Sequence, residues 1–151
     1  MNHCAELDEF AQRYAKAWCS QNPENVAAFF AENALLTVNG GPPTPALEVA
    51  RGFMRDFPEM TVTFDKLEPR GDRTAFHWTL TGTYAGTGKH VRISGHELWK
   101  INSAGLIAES SGHFSAAEYE RQLKGTWDQW RVTRVTPNGS AASPPSRRGL
   151  R

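Results

Sequence analysis

Three side chains with catalytic chemistry fall at positions that otherwise read as interior. In the stretch 90–102, Val91, Ile93, Trp99 and Ile101 recur with period two, and Glu97 shares their parity. A carboxyl projecting among such neighbours loses solvation. Its pKa rises, and it becomes a usable acid or base near neutral pH. No lysine or arginine shares that strand face to offset the shift. In 106–114, His113 has the parity of Ile107, Glu109 and Ser111. If Ile107 faces the core, these polar groups line the same cavity, where a neutral imidazole beside a carboxylate is a general-base candidate. An ion pair with His113 would lower the Glu97 pKa again. Tyr14 lies on the apolar stripe of the first helix beside Trp18, and a buried phenol needs a partner. A ligand carbonyl or enolate oxygen would serve, with Ser111 as a second donor. Each also has a plainer role: Glu97 bonded by buried donors, His113 at a wet strand end, Tyr14 bonded to backbone.

The remaining candidates are aromatic. Phe53, Phe57, Trp78 and Trp99, with Trp18, would form the wall of an apolar pocket, although core packing alone also accounts for them. His77 and His96 have the opposite parity from the apolar faces and are expected on the solvent or dimer side; His90 is in a loop. The five histidines lack close ligand spacing, and neither His-Glu-x-x-His nor a paired-cysteine motif occurs. Neither a metal nor a cofactor is therefore expected. Gly86-Thr87-Gly88-Lys89 lacks the full phosphate-loop pattern and falls between two strands, which favours a hairpin. No Gly-x-Ser-x-Gly elbow or dinucleotide fingerprint is present.

The elements that must position these groups change period twice along the chain. Leu7, Phe10, Ala11, Tyr14 and Trp18 predict a helix over about 4–20, with Glu6, Asp8 and Glu9 in its first turns where acids suit the dipole. Asn22-Pro23 supplies a cap and a first-turn proline for a short helix carrying Val26, Phe29 and Phe30. Ala34–Val38 reads as a strand closed by Asn39-Gly40-Gly41. Thr44-Pro45 opens a third helix bearing Leu47, Ala50, Phe53, Met54 and Phe57, which Pro58 ends. From Met60 onward the period is two, in strands near 60–64, 73–85, 90–102 and 106–114, followed by a short helix over 116–124 before Gly125. Helices first and long antiparallel strands after them indicate an α+β fold. Gly82, Gly95 and Gly112 would let the sheet curl around the helices.

The chain has 151 residues, 39% hydrophobic and 22% charged, with net charge +1, which suits one globular domain. Residues 124–151 hold six basic side chains and one acid, so the rest of the chain is mildly acidic and offers no electrostatic case for nucleic acid. No apolar run approaches the roughly 20 residues of a membrane span, so no membrane association is expected. The start lacks the basic and apolar regions of a secretory signal. Cys4 and Cys19, about 15 residues apart on one helix, would be roughly 22 Å apart, too far to bridge. A reduced, cytoplasmic protein is the expectation. Three regions follow: a folded domain over 1–125, an aromatic extension over 126–135 that packs on the domain or on a second subunit, and a basic tail over 136–151 too polar and proline-rich to order.

Phe57-Pro58-Glu59, Gly71-Asp72-Arg73, Trp78 through Gly86, Gly95 through Ile101 and Gly105 through Glu109 occur with the order and spacing of the SnoaL-like family. Over about residues 5–124 the chain resembles that family, which belongs to the nuclear-transport-factor-two-like superfamily. The resemblance implies a cone of curved, antiparallel-rich sheet wrapped around N-terminal helices, a ligand pocket, and commonly a homodimer. It also matches Glu97 to an acid of the family pattern. Where the family carries a tryptophan and acids beyond the matched Glu109, this chain has Ser111, Gly112 and Ser115, and Tyr84 stands in place of a frequent histidine. The cyclases' own aspartate therefore has no counterpart.

Together these readings point to a cofactor-independent acid–base enzyme acting on a small, largely apolar carbonyl compound, a polyketide-like metabolite among them. Isomerisation, cyclisation or dehydration would begin with proton abstraction beside the carbonyl. Glu97 or His113 would move the proton. Tyr14 and Ser111 would hold the oxygen, with Glu109 and the aromatic residues around the substrate. The alternatives are a binding module for an apolar small molecule and a dimerisation module with a filled cone.

Overall fold

An amphipathic helix, α1 (His3–Cys19), opens the fold and buries Ala11, Tyr14, Ala15, Ala17 and Trp18 on one side. The computed structural model describes residues 3–124. The expected packed extension over 126–135, the tail over 136–151 and the Gly125 cap lie outside the described residues. The short α2 (Pro23–Ala27) is capped as its sequence predicts: Asn22 Oδ1 accepts from the Glu24 amide at 3.0 Å, and Pro23 occupies the first turn. The next strand, β1 (Phe30–Val38), starts four residues earlier than its apolar pattern implies. Asn33 breaks that pattern by taking φ +66°, and the pairing shifts register between Phe30 and Leu35. Thr44 and Pro45 form a two-residue strand, β2, and Pro45 is also the residue from which the third helix starts. Thr44 Oγ1 donates to the Pro42 carbonyl at 2.9 Å, and α3 (Ala46–Asp56) follows with no side-chain cap.

Four strands complete the sheet: β3 (Thr61–Arg70), β4 (Arg73–Thr83), β5 (His90–Ile101) and β6 (Ile107–Phe114). Their order is β2-β1-β6-β5-β4-β3, with β1 and β6 parallel and the other neighbours antiparallel. The sheet is thus mixed and open. The final helix, α4 (Ala116–Lys124), lies along β5, where Gln122 accepts from the Arg92 amide and donates to its carbonyl. No helix among the described residues is long and apolar enough to cross a membrane.

One face of the sheet packs on α1 and α3. There Tyr14, Phe76 and Trp99 are essentially fully buried. Phe76 stacks on Trp99 at 4.9 Å between ring centres, while Tyr14 meets both rings edge-on at 5.2 Å. Such pairs add about 0.5–1.5 kcal/mol each beyond area burial.

The irregularity that matters most for function is in β6. Lys100 pairs with Glu109 but Ile101 pairs with Ile107, so two steps on β6 oppose one on β5. This bulge reverses side-chain parity just after Ile107. Ile107 faces inward, but the next inward residues are Ser110, Gly112 and Phe114; Glu109, Ser111 and His113 turn to the other face.

Candidate functional site

Strand β5 keeps an uninterrupted alternation, so Glu97 projects inward with Val91, Ile93 and Trp99 and is 7% exposed. Three donors from three elements meet its carboxyl. Tyr14 Oη lies 3.0 Å from Oε1 and 3.2 Å from Oε2, Trp99 Nε1 donates to Oε1 at 2.9 Å, and Ser110 Oγ donates to Oε1 at 2.9 Å. Oε1 is therefore crowded with donors, whereas Oε2 keeps most of its acceptor capacity.

Burial pushes the Glu97 pKa above its ordinary value, and the bonds from Trp99, Ser110 and Tyr14 pull it back without cancelling the shift. Burial and the neighbouring Glu97 charge also raise the Tyr14 phenol well above its usual range. The phenol accordingly stays protonated and remains a donor.

Beside the carboxyl is a cavity of about 60 Å³ with an apolar wall. On its helix and β1 sides are Trp18, Leu36, Val38, Val49 and Phe53; on its sheet side are Val62, Phe76, Trp78, Leu80, Gly112 and Phe114. Among the described residues, Glu97 is the one acid in this lining, and no base accompanies it. Directly across from Glu97 on β6 is Gly112. A Cβ there would meet Glu97 Cγ at 3.8 Å, so the bare backbone leaves room at the carboxyl.

Gly95 has a sharper steric role. A methyl at that position would lie 2.7 Å from Trp78 Cζ2 and 2.9 Å from Phe114 Cβ, and would collide with the His113 carbonyl. Only glycine lets the Trp78 indole lie across β5 at the cavity wall. Gly95→Ala is expected to cost about 1–3 kcal/mol, as overpacking does. Thermal melts would read this, together with a changed fluorescence of the displaced indole.

The sequence candidates thus separate into four groups. Glu97, Trp18, Phe53 and Trp78 line the cavity. Tyr14 and Trp99 act one layer behind, through their bonds to Glu97. Phe57 is fully buried against Tyr84 and Tyr119 and is core, away from the cavity lining.

His113, Glu109 and Ser111 are on the outer sheet face, opposite to expectation, because the β6 bulge reverses their parity. Glu109 is exposed there and pairs with Arg73 at 3.1 Å; Ser111 and His113 bond each other at 2.8 Å. The same bulge delivers Ser110, which parity counting from Ile107 misses. No signal within the strand's own residues marks it.

His113 consequently cannot form the ion pair with Glu97 that would have lowered the Glu97 pKa. It stacks on His96 at 5.0 Å, which in turn lies 5.5 Å from His77, giving a three-histidine row across β4, β5 and β6. Burial and then the adjoining His113 lower the pKa of His96. His113→Ala should leave the Glu97 titration unchanged, since the sheet separates the two groups; carbon-13 titration of the glutamate carboxyls would check this. Among the described residues, no three His, Cys, Asp or Glu side chains gather where they could hold a metal ion.

Known proteins share this fold and sequence pattern. The sequence pattern of the SnoaL-like domain matches residues 11–110, about two-thirds of the chain. The chain belongs to the SnoaL-like domain family. None of the curated proteins matches it in sequence.

Solved structures resemble this SnoaL-like domain in fold. TsrD from Streptomyces laurentii superposes with a TM-score of 0.68 at 15% identity, covering 82% of this chain and 97% of its own. IdmH from Streptomyces antibioticus, which has been proposed to be a polyketide cyclase, gives 0.63 at 23% identity, covering 78% and 97%. A protein from Catenulispora acidiphila with a ketosteroid isomerase-like fold, solved with trimethylamine, gives 0.65 at 18% identity, covering 76% and 91%. At these identities the likeness establishes the fold, and the SnoaL-like domain's chemistry has to be argued from its own residues.

Proposed function

We propose that this SnoaL-like domain is a cofactor-independent acid–base enzyme that moves a proton next to the carbonyl of a small, largely apolar compound. One observation carries the reading: Glu97 is a buried, pKa-raised carboxyl on the wall of an apolar cavity, with Oε1 pinned by three donors and Oε2 comparatively free. Oε2 is then the atom that takes a proton from the carbon beside the carbonyl. The C–H electron pair becomes the enolate double bond, and the carbonyl pair moves onto oxygen. In an unsaturated ketone, return of the proton from Glu97 to a different carbon of the extended enolate isomerises the compound. Attack of the enolate on a second carbonyl of the same molecule closes a ring, and the resulting alkoxide takes the proton back from Glu97.

Tyr14, Trp99 and Ser110 orient the carboxyl and set its basicity through these bonds. The isomerase or cyclase chemistry implied by the family resemblance uses the same first step. The polyketide cyclase role proposed for IdmH would agree with it.

The native substrate need not be identified for the test. In D2O, proton NMR would follow loss of the α-hydrogens of a panel of small ketones. Wild-type protein should accelerate the exchange of at least one of them and Glu97→Gln should not. Equal exchange by both proteins would overturn the assignment. A ketone that binds saturably yet keeps its hydrogens in the presence of wild type would select a binding module instead.

A further inference from the structure

Trp78 forms part of the cavity wall, yet its Nε1–H is buried and has no acceptor among the described residues. Three donors close to Glu97 are bonded: Trp99, Tyr14 and Ser110 all spend theirs on the carboxyl. Buried donors without partners are rare, and one in a cavity wall calls for an acceptor from outside the protein. Trp78 pairs across β4 and β5 with Gly95, and Phe76 pairs with Glu97. Trp78 is therefore one diagonal step along the sheet from Glu97, within the reach of one small molecule. Gly95 is what allows the indole to lie there.

We propose that the Trp78 indole N–H receives the carbonyl oxygen of the pocket's ligand, placing the adjacent carbon at Glu97 Oε2. The assignment of the carbon rests on the acid–base reading above; the donor does not. An indole N–H can only donate, so the ligand atom it meets is an acceptor, a carbonyl oxygen and not an ammonium. Among the described residues Glu97 is the one ionisable group in the lining, with no lysine or arginine there, so the lining offers nothing to neutralise an anionic ligand. The ligand class is thus a compact, uncharged carbonyl compound. When the proton leaves its α-carbon for Oε2, the electron pair passes through the new double bond onto the oxygen that Trp78 holds. No redox partner is required.

The experiment titrates nitrogen-15-labelled full-length protein with cyclopentanone and, separately, with cyclopentane. The chain has five tryptophans, whose indole N–H signals would be assigned by sequential connectivity and by loss of one in Trp78→Phe. Cyclopentanone is expected to move the Trp78 signal downfield with saturation and to bind about five- to tenfold more tightly than cyclopentane, the worth of one neutral hydrogen bond. Trp78→Phe should bind both alike, and Glu97→Gln should keep the Trp78 shift.

The proposal falls if cyclopentanone does not bind saturably. It also falls if cyclopentanone perturbs the Gly112 amide but leaves the Trp78 indole unmoved, or if Trp78→Phe keeps the preference. Should Trp78 respond while Glu97→Gln still exchanges α-hydrogens at the wild-type rate, the donor stands and the acid–base reading alone is lost.

Discussion

Glu97→Gln is expected to slow α-hydrogen exchange about 100- to 10,000-fold, the range of a positioned general base, while making the folded protein more stable at neutral pH. The two effects have one cause. Burial raises the folded-state pKa of Glu97 above its ordinary value of 4.5. Below that ordinary value the carboxyl is protonated in both folded and unfolded chains and nothing is lost. As pH rises from there to the folded pKa, the unfolded chain releases its proton first, so folding stability declines across this window and levels off above it. Glutamine fills nearly the same volume with no charge to desolvate, so the decline should vanish from the stability–pH curve. Urea melts of both proteins from pH 4 to pH 9 would read this. The wild-type exchange rate should climb with pH through the same raised pKa, because the base is the ionised form. A glutamine variant that lost stability in parallel with wild type across that window would place the titration on another group.

The largest structural effect is expected from Trp99→Ala. Trp99 is fully buried, stacked on Phe76, edge-on to Tyr14 and to Phe10 at 5.4 Å, and bonded through Nε1 to Glu97. Truncation should cost about 3–5 kcal/mol, the range for large aromatic side chains in cores. That is a major part of the 5–15 kcal/mol typical of a domain.

Trp99→Phe separates packing from polarity. The ring and most of the contacts survive, but one donor to the ionised carboxyl is gone, so Glu97 should titrate higher still and the pH profile of exchange should shift upward. Denaturant melts of the alanine variant and a pH–rate profile of the phenylalanine variant check the two parts. An unshifted profile in Trp99→Phe would mean that the indole N–H does not set the basicity of Glu97.

Local periodicity by itself determined the α+β order of elements, the buried stripe of α1 that carries Tyr14, and the inward direction of Glu97. Each depends on a run with no interruption: α1 keeps three- and four-residue spacing over its length, and β5 alternates without a bulge from His90 to Ile101. The resemblance to the SnoaL-like family was likewise legible, because it rests on the order of short motifs. The partners of Glu97 were not legible. Ser110 reaches the carboxyl, and Ser111 and His113 turn away, because β6 inserts one extra residue against β5. A bulge arises from pairing between two strands distant in sequence, and it flips every later side chain on its strand. Nor could spacing show that Phe57 is used up in packing against Tyr84 and Tyr119, or that the Trp78 N–H finds no acceptor among the described residues while Tyr14, Trp99 and Ser110 all bond to Glu97. Those outcomes depend on which groups the folded chain brings within about 3 Å of one another, and only the tertiary structure decides that.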